Sequence, residues 1–338
     1  MKPITGVWIA NHPHSQFLAS RENIQQGIQN LKQKGFNTVF PVIWNRGYTI
    51  YPSAVMESYN FPCIDSYYDS QRDPIAEIII EAHQNDIRVI PWFEYGFAAS
   101  HLISGGHILK QNPHWKAIDN QGKMVTHGGL TWMNGFHPQV QEFMLNLVLE
   151  VVQNYGVDGI QGCDRFPAAP VQSGYDTYTV SKYQAQFNKL PPNNYQNRQW
   201  IEWRANLLTD FLATLYQQIK AIKPHVLVSL APAVYPFCLN NLLQDSKTWV
   251  KQGLVDIIHP QIYRSSWHSY QHEVNQVKKH FNSSDLAKFA PGIALKANNK
   301  YISDRDLQKC LKLNQKTGFC GQVIFHYEDL IKPHRYNF

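Results

Sequence analysis

The stretch YGVDGIQGCDRFP, Tyr155 to Pro167, decides how the chain is read. Ahead of it, Val140, Phe143, Met144, Leu147, Val148 and Val151 recur at helical spacing, so a helix delivers the chain into it. Gly156 ends that helix, and residues 157–160 read as a short buried strand. The run closes on Cys163, Asp164 and Arg165, and Phe166-Pro167 stops it. A carboxylate at the outgoing end of a buried strand, directly after a helix, is where a (β/α) barrel places its reacting groups. The alternative is an Asp that braces a loop, with Arg165 as its ion-pair partner.

Working outward, the same helix-turn-strand phrase recurs along the chain. Buried β-branched runs predict strands at residues 6–10, 38–44, 88–93, 157–160, 226–230, 255–258, 289–295 and 322–326. Amphipathic segments predict helices over 21–34, 74–85, 137–155, 198–222, 242–252, 269–281 and 304–316. Strict alternation implies a parallel sheet with right-handed crossovers, and eight repeats close into a (β/α)8 TIM barrel, an α/β fold spanning residues 1–338 as one domain. Loop lengths point the same way. Helix-to-strand turns are short, whereas residues 45–72, 96–136 and 167–197 are long and all follow strands, which sets them on the C-terminal face. A doubly wound open sheet is the competing architecture, but no strand is followed by G-x-G-x-x-G.

Composition narrows the function. Hydrophobic residues at 43% and aromatic ones at 13% suffice for a large core, and the net charge of +6 is spread without a Lys/Arg run, which argues against a nucleic-acid partner. Fifteen His and eighteen Tyr on a chain with only 17% charged residues suggest a surface for a neutral polar ligand. Five cysteines without a C-x-x-C indicate neither a disulfide framework nor a zinc knuckle. No signal-peptide core and no apolar run of about 18 residues is present, so no membrane insertion is expected. The expected location is cytoplasmic as encoded, or secreted or periplasmic if the N-terminus has been trimmed.

Three carboxylates stand at outgoing strand ends: Glu94, Asp164 and Glu328. Trp44, Trp92, Tyr95, Tyr263 and Tyr327 gather near them, with Asn11, His12, Arg165, His259 and Gln261 as polar contacts. Paired carboxyl groups over aromatic platforms are what glycoside hydrolysis needs, one protonating the leaving oxygen and the other meeting the oxocarbenium-like centre. Each ring also has an ordinary reading as core. A metal site built on His12, His14 and His259 is the competing chemistry, but strands four and five deliver no further ligands of the required kind, so no metal and no cofactor is expected.

Read in order, GVWIAN from Gly6, GFNTVFPVIW from Gly35, DPIAEIIIEAHQNDIRVIPWFEYGF from Asp73, NPHW from Asn112, YGVDGIQGCDRFP from Tyr155, WRANLLTDFLATLYQQIKAIKP from Trp203, VDIIHPQIY from Val255 and APGIAL from Ala290 resemble the bacterial glycosyl hydrolase-like barrel proteins related to enzymes that cleave peptidoglycan glycan strands. The resemblance covers most of the chain. It implies a TIM barrel, O-glycosyl hydrolysis and a carbohydrate substrate, with a bacterial cell-wall glycan as the candidate. The family tends to carry two acids where this chain has Cys163-Asp164, and often a non-acidic residue at Glu94. By analogy with the nucleophile motif of amylase-like barrels, the missing acid is the nucleophile. Two readings follow: a hydrolase working through Glu94, Asp164 and Glu328, or a carbohydrate-binding barrel that has lost catalysis.

Overall fold

The computed structural model describes residues 2–11, 13–332, 336 and 338. Its inner strands are β1 (Ile4–Ile9), β2 (Thr38–Pro41), β3 (Arg88–Val89), β4 (Gly159–Cys163), β5 (Leu227–Ala231), β6 (Ile257–Ile258), β7 (Gly292–Ala294) and β8 (Gly321–Phe325). Between them run α1 (Arg21–Gln33), α2 (Pro74–Gln84), α3 (Pro138–Asn154), α4 (Arg198–Ile222), α5 (Ser246–Lys251), α6 (Trp267–His280) and α7 (Asp304–Thr317). The starts are locally encoded. Ser20, Asp73, Asn197, Ser266 and Ser303 each accept a hydrogen bond from a backbone N–H of the first turn, the interaction that satisfies a helix's orphan donors.

All pairs among these strands are parallel, but the regular ladders form two sheets where the sequence predicts one closed ring. The larger has the order β7-β8-β1-β2-β3, and the smaller β6-β5-β4. At the first seam Trp92 bridges to Gln161; at the second, Ile258 bridges to Phe289 and Gln261 to Gly292. Proline explains both interruptions. Pro91 stands beside Trp92, and Pro260 and Pro291 stand at the second seam, each lacking the N–H that a continuous ladder requires. The third strand is accordingly cut back from residues 88–93, and β2 stops at Pro41.

Two other expectations shift. The helix expected over 242–252 is shorter, α5, which Asp245 caps, and a separate helix, Phe237–Leu242, precedes it and ends where Leu243 takes a left-handed conformation. The fourth strand runs later than expected, so Cys163 is its last residue rather than part of the loop.

Apolar side chains pack in two shells. Ile24, Ile28 and Leu31 of α1, the inward row of α3 and Leu208, Leu212, Leu215 and Ile219 of α4 cover the outer strand faces. Each such side chain contributes about 1.5–3 kcal/mol through burial. Inside, Ile4, Trp8, Phe40, Val42, Ile90, Trp92, Cys163, Ala231, Ile257, Ala290 and Val323 form a separate cluster, with Tyr263 and Phe325 partly buried against it. Among the described residues no helix is long and apolar enough to cross a membrane.

Candidate active site

Two turns, after the β3 segment and after β4, are locked together by backbone. Phe97 N–H donates to Arg165 O at 2.9 Å, and Phe93 N–H to Gln161 O at 2.9 Å. Gly96 makes the approach possible. Its φ is +49°, and a Cβ there would stand 2.2 Å from the Arg165 carbonyl oxygen. Glu94, Asp164 and Arg165 therefore emerge side by side.

Arg165 organises them. Its Nε donates to the Glu94 carbonyl oxygen at 2.7 Å, its Nη2 lies 3.3 Å from Glu94 Oε1, and its Nη1 lies 3.7 Å from Asp164 Oδ1. One guanidinium thus faces both carboxylates, placing the two acids on either side of a single positive charge. The Glu94 side chain is 22% exposed and that of Asp164 30%. Asn45, buried at the end of a short hairpin strand, donates from Nδ2 to Glu94 Oε2. Burial raises the Glu94 pKa above the ordinary carboxylate range; Arg165 and Asn45 pull the other way, and Asp164 adds to the rise. Burial opposes the charge on Arg165, but Asp164, Cys163 and Glu94 outweigh it and its pKa is raised. The Arg165 guanidinium also lies 5.7 Å from the Tyr95 ring centroid.

Beneath the carboxylates lies an aromatic floor. Tyr263 stacks on Phe325 at 4.9 Å, and Trp8 meets Tyr263, Phe325 and Trp92 at 6.4, 6.1 and 6.2 Å. Burial, with Asp164 next, raises the Tyr263 pKa, so the phenol keeps its proton.

Below that floor runs a buried polar chain whose donors are all defined. Trp8 Nε1–H donates to Gln161 Oε1 at 2.5 Å, and Gln161 Nε2 to Ser229 Oγ at 3.0 Å. His259 Nδ1 lies 2.7 Å from Ala290 O, which only accepts, so Nδ1 carries the proton. The Ser229 hydroxyl then donates to His259 Nε2 at 2.9 Å. Burial lowers the His259 pKa to about 4, consistent with a neutral ring.

The remaining sequence candidates scatter. His259, expected among the substrate contacts, is sealed in that core chain, and Trp44 is likewise fully buried, its Nε1 donating to Gly96 O at 3.0 Å. Trp92 is 6% exposed in the floor. Asn11 is buried, and its carbonyl accepts from His14 N–H and Ser15 N–H. Gln261 donates to Ala231 O at 2.8 Å and lines a cavity beyond β5. Glu328 accepts from Ser15 Oγ at 2.5 Å and, with Tyr327, lines a different cavity against α1. His12 lies outside the described residues.

Sequence reasoning missed Asn45, which holds Glu94, and His127, whose ring feels Asp164 although burial dominates and lowers its pKa. It also missed Gln161 and Ser229. His127 and Asn45 sit in long loops, where no periodicity signals a position. Gln161 had a signal: a lone amide inside a buried strand needs partners. Among the described residues no three His, Cys, Asp or Glu side chains gather as a metal-binding group.

A family model described as Glycosyl hydrolase-like 10 matches residues 3–305. The glycosyl hydrolase DigH of Escherichia coli K12 is 26% identical over 283 residues, 77% of this chain and 62% of the relative. YngK of Bacillus subtilis, also described as a glycosyl hydrolase, is 26% identical over 294 residues, 78% of this chain and 54% of the relative. The chain thus spans little more than half the length of these relatives. Among solved structures, the PgaB (BpsB) glycoside hydrolase domain from Bordetella bronchiseptica superposes with a TM-score of 0.70 over 98% of this chain and 96% of the domain, at 12% identity. The catalytic domain of β-amylase from Paenibacillus polymyxa gives 0.67 over 97% and 93%, at 10% identity. At such identities the likeness speaks to fold.

Proposed function

Since the chain belongs to the glycosyl hydrolase-like 10 family, we propose that it is a glycoside hydrolase built on a (β/α)8 barrel and acting on a polysaccharide through Glu94 and Asp164. The observation that carries this is the shared guanidinium of Arg165, which keeps two carboxylates together at the outgoing ends of adjacent strands above an aromatic floor. Glu94, with its raised pKa, is suited to give a proton to the leaving oxygen. Asp164, the more exposed of the two, is suited to meet the positive charge that develops on the sugar. Glu328, turned toward Ser15, is left without a part in this pair. A bacterial cell-wall glycan is the substrate that the sequence resemblance favours.

A second reading is a carbohydrate-binding barrel without turnover. It is favoured by Cys163, a fully buried thiol where the family tends to carry an acid. Both readings are tested by incubating the protein with a panel of glycans, including peptide-free peptidoglycan strands, and scoring reducing ends over time. Steady release supports the hydrolase; binding without release supports the alternative.

A further inference from the structure

A cavity of about 410 Å³ opens beyond β5 and β6, lined by Tyr235, Phe237, Gln261, Arg264, Glu273 and Gln276 among others. Neither Glu94 nor Asp164 lines it, but strand register brings one of its edges toward them. Ala231, the last residue of β5, pairs with Cys163, so Asp164 and the cavity-lining Ala233 leave neighbouring strand ends within two residues of that pair. Gln261 ties the cavity back to the same point by donating to Ala231 O at 2.8 Å. Tyr263, directly before Arg264, feels the charges of both Asp164 and Glu94. With Glu94 on the β3 side and the cavity on the β5 side, Asp164 stands between them.

The lining has the chemistry of sugar recognition. Phe237 is 58% exposed, the most exposed of the Phe, Tyr and Trp rings among the described residues, and it lines the cavity, where its face can stack. Below it, Arg264 Nη2 pairs with Glu273 Oε1 at 2.7 Å, with the two side chains 38% and 20% exposed. That pair presents donors and acceptors to a ligand while cancelling its own charge. We propose that this cavity is a second subsite, taking an uncharged sugar residue of the chain whose neighbouring unit lies at Asp164, with Phe237 as its stacking platform. The inference rests on the carbohydrate reading above and extends it by placing a second sugar-holding site on the β5 side of Asp164, with Phe237 as its platform.

The test compares wild type, Phe237→Ala and Phe237→Trp on N-acetylglucosamine oligomers of graded length and on peptide-free peptidoglycan strands. For Phe237→Ala, kcat/KM is expected to fall about three- to tenfold more on long strands than on the shortest cleaved oligomer, the size of a lost stacking contact, while Phe237→Trp retains the length dependence. An equal loss at all lengths, or none, overturns the subsite. If wild type cleaves nothing, calorimetric binding of the same oligomers decides separately. Binding about three- to tenfold weaker to Phe237→Ala supports the subsite in a barrel without turnover, whereas equal affinity, or no binding to wild type, overturns it. Uronic-acid oligomers are expected to bind wild type more weakly, and tighter binding overturns the assignment to an uncharged sugar.

Discussion

The thiol of Cys163 donates to the backbone carbonyl oxygen of Glu94 across 2.9 Å, and its sulfur accepts from Arg165 N–H at 3.4 Å. Burial raises the thiol pKa, so the proton stays where the contact needs it. A carboxylate has no proton to give a carbonyl oxygen. Cys163→Asp is therefore expected to lower unfolding stability in urea by about 3 kcal/mol, because a buried charge meets an acceptor. Cys163→Ser keeps a donor and is expected to lose less. Equal stability of the Asp variant and wild type would contradict a structural role for the Cys163 thiol hydrogen bond to the Glu94 carbonyl.

Asn45, after burial and Arg165, bears on the protonation of Glu94. Its amide favours the charged form of Glu94 and so holds down a pKa that burial raises. A proton donor stops working as pH climbs through its pKa. In Asn45→Ala that pKa rises further, and the alkaline limb of kcat/KM is expected to move to higher pH. A limb that stays put or moves down would show that Glu94 is not the donor.

His259 makes the fold acid-sensitive. Its folded pKa of about 4 lies below the ordinary 6.5, so the unfolded chain binds the proton first. The stability it contributes is whole above pH 6.5 and is lost as pH falls toward 4, at up to about 1.4 kcal/mol per pH unit. Imidazole NMR should report a neutral ring protonated at Nδ1 throughout that window. A ring that titrates near pH 6.5 would break the Trp8–Gln161–Ser229–His259 chain as described.

Gly96→Ala should separate the two turns. A side chain at φ +49°, with its Cβ 2.2 Å from Arg165 O, forces the Glu94 and Arg165 backbones apart. A loss of at least about 2 kcal/mol in urea unfolding is expected, together with most of any hydrolysis. Unchanged stability would mean that the approach is looser than described.

How much of this was legible in the sequence depends on whether the cause is local. Alternating strands and helices, the caps at Ser20 and Asp73, and Asp164 at a strand end follow from neighbours a few residues apart. The two-sheet break was legible in principle, since Pro91, Pro260 and Pro291 are printed in the chain, but which pairings they interrupt depends on strand register. Glu328 is expected among the carboxylates because it ends a strand, but its carboxylate accepts from Ser15, 313 residues away in sequence. Asn45 and His127 depend on how two long loops fold back, which no spacing encodes.

The most direct measurement is reducing-end release from peptide-free glycan strands by wild type, Glu94→Gln and Asp164→Asn, each checked for intact folding by near-UV circular dichroism. Wild type is expected to release reducing ends steadily, and each variant to lose more than about 99% of the rate, as loss of an essential acid or base costs 10²–10⁴-fold. Near-normal release by either variant, or strand binding without release by wild type, would contradict a hydrolase built on these two carboxylates.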